Sequence, residues 1–160
     1  MLTVKLLCVG RLKERYFAEA VAEYQKRLGA FCRFFVEELP EAKLGTKPGP
    51  GEIAAALKKE AGAIRRAIPS GAAVAAFCVE GTLCSSEELA GRLGKWAGGG
   101  ARSVCFLIGG SHGLDGDLKR EAGVCLSVSR MTFPHHLFRV MAAEQIYRAF
   151  TILEGTQYHK

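Results

Sequence analysis

Five short apolar runs, at residues 2–9, 33–39, 72–79, 103–108 and 124–128, alternate along this chain with segments whose apolar residues recur at helical spacing. Between the runs, residues 14–28 place apolar side chains at 17, 18, 21, 24 and 28 before a stop at Gly29, and residues 52–68 place them at 53, 56, 57, 61, 64 and 68. A Ser-x-x-Glu capping box, Ser85 and Glu88, opens a helix over 85–96; residues 114–122 predict a short helix and 136–153 a long one. Parallel strands need crossovers, and helices supply them. The pattern therefore predicts an α/β domain with a mainly parallel sheet and helices on both faces. The loop 41–51, rich in glycine and proline and mobile by composition, falls too early to divide the chain, so residues 1–160 read as a single domain. Sheets of this kind bind ligands beyond the carboxyl ends of their strands.

A chain of 160 residues can bury a core of its own. No apolar stretch reaches the ~20 residues that span a bilayer. The start carries Lys5 inside its first apolar run and lacks a secretory cleavage pattern, which points to the cytoplasm. A net charge of +6 favours an anionic partner, nucleic acid first. The cysteines, Cys8, Cys32, Cys78, Cys84, Cys105 and Cys125, form no C-x-x-C pair and stand at no metal-like spacing from a histidine. Cys8, Cys78, Cys105 and Cys125 fall in the strand runs, where they read as small buried hydrophobes rather than as a metal site or a disulfide framework.

Two segments of the last third could hold a ligand. Ile108 leads directly into Gly109-Gly110-Ser111-His112-Gly113, where two glycines permit positive φ and close approach of a ligand to the backbone. The spacing matches neither G-x-G-x-x-G nor a P-loop. By itself the turn fits a ligand-free connection as well as a binding site. In residues 129–136, Pro134 forbids a helix, biases Phe133 to extended geometry and begins the last helix. Met131 and Phe133 stand there where a polar loop is normal. An adenine ring or a thioether would suit such residues beside open backbone groups; a buried loop packed on its neighbours would explain them equally well.

Of the 18 residues from 136 to 153, 12 are apolar or aromatic. A helix apolar on most sides must be buried on most sides, so one face is expected against a partner subunit. Glu144 and Arg148 are spaced to pair at i,i+4. Arg139 lies one turn in from Pro134, close to the expected pocket, although alone it also fits a solvated or ion-paired surface charge. The tail Gln157-Tyr158-His159-Lys160 concentrates a phenol, an imidazole and an ammonium, which can stack on a base, exchange a proton and contact a phosphate.

Taken in order, these segments resemble the ribosomal large-subunit pseudouridine N3-methyltransferase (methyltransferase H) family of the SPOUT, or α/β-knot, superfamily. The resemblance covers essentially the whole chain. It rests on Val4-Lys5-Leu6-Leu7-Cys8-Val9-Gly10-Arg11-Leu12-Lys13, Glu23-Tyr24-Gln25-Lys26-Arg27-Leu28, Ile108-Gly109-Gly110-Ser111-His112-Gly113-Leu114, Ser129-Arg130-Met131-Thr132-Phe133-Pro134-His135, Glu144-Gln145-Ile146-Tyr147-Arg148-Ala149 and Tyr158-His159-Lys160. It implies a C-terminal deep trefoil knot, a rare exception to unknotted folding, whose loops hold S-adenosylmethionine, and a homodimer with the site close to the subunit interface. By position it implies cofactor contacts at Phe77, Gly109, Val128, Ser129, Arg130, Met131, Thr132 and Phe133. Family members carry Leu where this chain has Phe77.

The reaction so implied transfers a methyl group to N3 of a pseudouridine in 23S ribosomal RNA. A chain with no room for an added RNA-binding domain suits a preassembled substrate, the ribosome. The imide nitrogen is a poor nucleophile until it loses its proton, so a base or a stabiliser of the anion should help. Most of the rate gain should come from holding the nitrogen against the methyl carbon. No metal is required. Tyr158 and His159 are expected to orient the base and accept its proton, with Arg139 and Lys160 handling anionic charge. Three rivals remain at this point: an RNA-binding module without cofactor, a nucleotide-dependent enzyme, and a SPOUT methyltransferase acting on another RNA such as tRNA.

Overall fold

The computed structural model describes residues 1–159; Lys160, expected to act on the substrate, lies outside them. The elements follow the order β1 (Thr3–Val9), α1 (Arg15–Leu28), β2 (Arg33–Leu39), α2 (Pro50–Ala67), β3 (Ala73–Leu83), α3 (Ser86–Gly98), β4 (Ser103–Ile108), α4 (Gly116–Glu121), β5 (Val124–Ser127) and α5 (His135–Leu153). The five strands form one sheet in the order β2-β1-β4-β3-β5, with every neighbouring pair parallel. Central β4 is buried at every position, as a strand covered on both faces must be. On one face Leu6, Phe34 and Phe106 pack with Leu28 of α1, Leu93 of α3 and Ile146 of α5. On the other, Leu7 and Leu107 pack with Ile64 of α2 and Leu118 of α4.

Three of the boundaries that differ from the periodicity do so for a visible local reason. Strand β3 runs on to Leu83, and its pairing with β5 shifts register between Phe77 and Thr82. Residues 78–81 therefore bulge. Gly81 sits so close to the neighbouring strand that a Cβ would lie 2.8 Å from the Leu126 carbonyl carbon. Helix α2 begins at Pro50, whose fixed φ suits the first helical position, while the Glu52 carboxylate accepts from the Gly49 N–H at 2.9 Å. Helix α4 is shortened to 116–121 because Asp115 caps it, accepting from the Asp117 and Leu118 N–H groups at 3.1 and 3.2 Å.

Helix α5 lies between α1 and α3, with Ala142, Ala143, Ile146, Ala149 and Phe150 buried. Phe31 stacks on Phe150 and meets Tyr147 edge-on, at centroid distances of 5.8 and 5.9 Å. The chain itself thus covers much of the apolar surface that suggested a partner. Leu137, Val140, Met141 and Tyr147 stay half-buried.

Arg139 is the largest fully buried side chain of the molecule, with no exposure, so it is not the solvated surface charge its sequence position allowed. Its Nη2 donates to the carbonyl oxygens of Val9 and Gly10 at 2.7 and 2.8 Å, and its Nη1 to the Glu38 carboxylate at 3.2 Å. One guanidinium thereby ties the ends of β1 and β2 to the first turns of α5. Gly10 takes φ +86, and a Cβ there would lie 3.2 Å from the Glu41 carboxylate. Replacing Arg139→Met would strand both carbonyls and leave Glu38 without its ion-pair partner. Urea unfolding should show a loss on the order of 3 kcal/mol. Arg139→Lys should recover only part of it, since an ammonium cannot reproduce the guanidinium fork.

Candidate functional site

Beyond the carboxyl ends of β3, β4 and β5 lies a cavity of about 630 Å³, a volume suited to a cofactor-sized molecule. The β3 bulge, the glycine turn, the loop leaving β5 and the start of α5 wall it in. Phe77, Ile108, Leu126 and Phe138 give it an apolar lining. Phe77 stacks on Phe106 at 5.6 Å and meets Phe138 edge-on at 5.3 Å, so the larger ring at position 77 is held in an aromatic cluster. Of the expected cofactor contacts, Phe77, Gly109, Val128, Ser129, Met131, Thr132 and Phe133 all line the cavity; Arg130 is exposed and does not. Ser127 Oγ donates to the Ser129 carbonyl at 2.8 Å, and Ser129 Oγ accepts from the Met131 N–H at 3.0 Å, which fixes the start of this loop.

The glycine turn is built differently from the expectation. Neither Gly109 nor Gly110 adopts positive φ; Gly113 does, at φ +78. Gly109 is needed because a Cβ there would run into the Gly113 carbonyl. Gly110 and Gly113 form a short antiparallel bridge, with the Gly113 N–H donating to the Gly110 carbonyl at 3.0 Å. The turn closes on itself and presents its backbone to the cavity.

Several lining groups were assigned no role from sequence. His135 lines the cavity, and burial, then the charges of His136 and Arg139, lower its pKa, so its imidazole is held neutral. Arg139 does not line the cavity; it acts from behind the wall, on His135 and on the chain at Gly10. Burial pushes the Cys78 thiol up to about 12, which leaves this lining residue un-ionised and apolar in character. Glu80 and Lys119 pair at the rim.

Tyr158 and His159 do not line this cavity. They belong to a second cluster on α5 and α3. Tyr158 Oη donates to Glu144 Oε1 at 3.1 Å, and Arg148 donates to the same oxygen through Nε at 3.0 Å and Nη2 at 2.6 Å. The Arg148 guanidinium lies 4.8 Å over the Tyr158 ring. His159 Nδ1 lies 3.4 Å from Arg148 Nη1 and its Nε2 lies 2.8 Å from the Glu87 carboxylate. The Glu144–Arg148 pairing was legible from spacing; that Arg148 also holds the tail was not. Burial, with further contributions from Tyr24 and Glu144, pushes the Tyr158 phenol up to about 12. At neutral pH it offers a proton rather than takes one.

The two clusters meet. A groove of about 520 Å³ beside the tail cluster is lined by Val140, Met141 and Glu144, and it shares Val128, Ser129 and Phe133 with the first cavity. Substituting Gly109→Ala should lower the thermal midpoint by several degrees, since the clash is with backbone that cannot step aside. Gly116→Ala should not lower it, because a Cβ there meets only the end of the Arg120 side chain at 3.5 Å.

Comparison with known proteins agrees with this architecture. A family model described as "Predicted SPOUT methyltransferase" matches residues 2–159. A relative named ribosomal RNA large subunit methyltransferase H from Syntrophomonas wolfei is 42% identical over 156 residues, covering 98% of both chains. One of the same name from Moorella thermoacetica is 42% identical over 160 residues, covering all of both. Among solved structures, a probable methyltransferase from Bordetella pertussis superposes with a TM-score of 0.60 at 15% identity, over 92% of this chain and 93% of that one, a likeness of fold alone. Matched over nearly its whole length, with a cavity walled by the segments that carried the resemblance, this chain belongs to the SPOUT methyltransferase family.

Proposed function

We infer that the protein is an S-adenosylmethionine-dependent methyltransferase that modifies N3 of a pseudouridine in 23S ribosomal RNA, acting as a homodimer on assembled ribosomes in the cytoplasm. The observation that carries this reading is the cavity at the carboxyl edge of the sheet. Its lining joins aromatic and aliphatic side chains to the open backbone of the glycine turn and of residues 128–133. That combination fits an adenosine with a thioether-like chain: flat apolar surface for the ring, backbone groups for its polar edge. When bound, the cofactor supplies an electrophilic methyl group on a sulfonium. The name shared by the relatives, large subunit ribosomal RNA methyltransferase H, supports the RNA target, and N3 of pseudouridine is consistent with that family. With it goes the C-terminal trefoil knot of the superfamily.

The chain's own residues then divide the work. Phe77, Gly109, Val128, Ser129, Met131, Thr132 and Phe133 bind and orient the cofactor. His159 accepts the imide proton, and Glu87, 2.8 Å from Nε2, is placed to steady the imidazolium that results. Tyr158 keeps its proton and orients the base by donating a hydrogen bond. Arg148 and Lys160 favour the anionic form of the base. Arg139 contributes by position, holding Gly10 and the start of α5. Since Tyr158 and His159 do not line the cavity of their own chain, a second copy seated on the Val140–Met141 groove, which shares Val128, Ser129 and Phe133 with the cavity, would bring its tail to this cavity. The site is then shared between subunits, which accounts for the apolar residues of α5 left half-buried.

Calorimetry with S-adenosylmethionine and S-adenosylhomocysteine should show binding to the purified protein; absence of both would leave only an RNA-binding module. His159→Ala should lower kcat on ribosomes by about 100-fold or more while leaving S-adenosylhomocysteine affinity unchanged. Mixing His159→Ala with Thr132→Trp, which fills the cavity, should restore methyl transfer through mixed dimers. No restoration would return the tail to its own chain's site.

A further inference from the structure

We propose that the loops leaving the carboxyl edge of the sheet form a cationic rim that grips RNA phosphates around the mouth of the cavity. This rests on the RNA-modifying reading above and adds the surface by which the substrate is held. Strand β1 is followed by Arg11 and Lys13, β2 by Lys43 and Lys47, and β5 by Arg130. All five are exposed, and none has an ion-pair partner among the described residues. Arg15, Arg27, Arg65, Arg120 and Arg148 are each paired with a carboxylate, whereas Lys58, Lys59 and Arg66 of α2 are as exposed and as unpaired as the five; what sets the five apart is their place on the loops at the carboxyl edge. An unpaired exposed cation can take a phosphate without first surrendering a partner, and each phosphate so neutralised releases counterions from the RNA. The loops at the opposite edge of the sheet, 29–32, 68–72, 99–102 and 122–123, carry Arg102 alone.

The rim is mounted on anchored backbone next to the cavity. At the first loop, the Leu12 N–H donates to the Glu38 carboxylate at 2.6 Å, and Glu14 lies 2.8 Å from Nδ1 of His136, the neighbour of cavity-lining His135. At the second, the cavity-lining Ser111 donates to Glu41 at 3.4 Å, and the Ala42 N–H donates at 3.0 Å to Glu60, a buried carboxyl of α2. Glu60's burial, more than any neighbouring charge, raises its pKa. At the third, Arg130 sits between Ser129 and Met131, which are hydrogen-bonded to each other and both line the cavity. Arg11, Lys13, Lys43 and Arg130 each stand next to one of these anchored residues, on backbone that loses little freedom when the substrate docks. Arg130, expected among the cofactor contacts, takes the RNA side of the same loop.

The test compares two variants of equal charge, Arg11→Gln/Lys13→Gln/Lys43→Gln at the rim and Lys58→Gln/Lys59→Gln/Arg66→Gln on the exposed face of α2. Each is titrated with purified large ribosomal subunits at several salt concentrations, and methyl transfer and S-adenosylhomocysteine binding are followed in parallel. The rim variant should bind at least about 10-fold more weakly at physiological salt, and its log Kd against log salt slope should be shallower by about 2, at roughly 0.7–0.9 for each phosphate no longer neutralised. Its cofactor affinity, and its kcat at saturating subunits, should match the wild type. The α2 variant should stay near wild type in all of these. Equal weakening in both variants, or an unchanged slope in the rim variant, would overturn the rim. Wild-type protein that binds subunits with the steep salt dependence yet transfers no methyl group would instead count against the methyltransferase reading.

Discussion

The fully buried guanidinium of Arg139 is the interaction on which the carboxyl edge of this molecule depends. It satisfies the carbonyls of Val9 and Gly10, where β1 leaves the sheet, and pairs with Glu38 near the end of β2. A buried cation is tolerated when most of its donors are used; here both terminal nitrogens join two strand ends to the helix that follows residues 128–134, while Nε is left without a partner among the described residues. Arg139 and Glu41 close over Gly10, and the charge of Arg139 adds to the burial that lowers the His135 pKa. The cavity wall is thus held from behind by a residue that never enters it.

Most of the architecture was legible because it is written in periodicity. The apolar runs became five parallel strands, and the helix over 85–96 begins at its capping box, with Ser85 accepting from the Glu88 N–H at 3.1 Å. What periodicity does not encode is where backbone meets backbone. The bulge before Thr82 exists because Gly81 packs against β5, and Gly109 is glycine because Gly113 folds back onto it. Both are long-range steric facts. Neither leaves a pattern in the local sequence beyond the glycine itself.

The candidate site was legible as segments rather than as a geometry. The resemblance pointed to seven residues that line the cavity, while Arg130 faces outside the lining and Arg139 is buried away from it. A composition-based reading of Arg139 fails because its partners lie about 130 positions away in the chain, at Val9 and Gly10. The chemistry of the tail is visible in its residue types, yet spacing shows Arg148 only as the partner of Glu144 and not as the holder of the tail. Tyr158 and His159 stand outside the cavity of their own chain, as they would in a site completed by a second copy. The same edge carries unpaired cations on three of its loops, so the proposed RNA surface and the cavity share one origin: the place where parallel strands end.

Mass spectrometry of 23S ribosomal RNA from cells with and without the gene tests the central assignment most directly. Loss of one N3-methylated pseudouridine on deletion, restored by the wild-type gene and not by the His159→Ala form, is the expected result. A full complement of that mark in the deleted cells would contradict it.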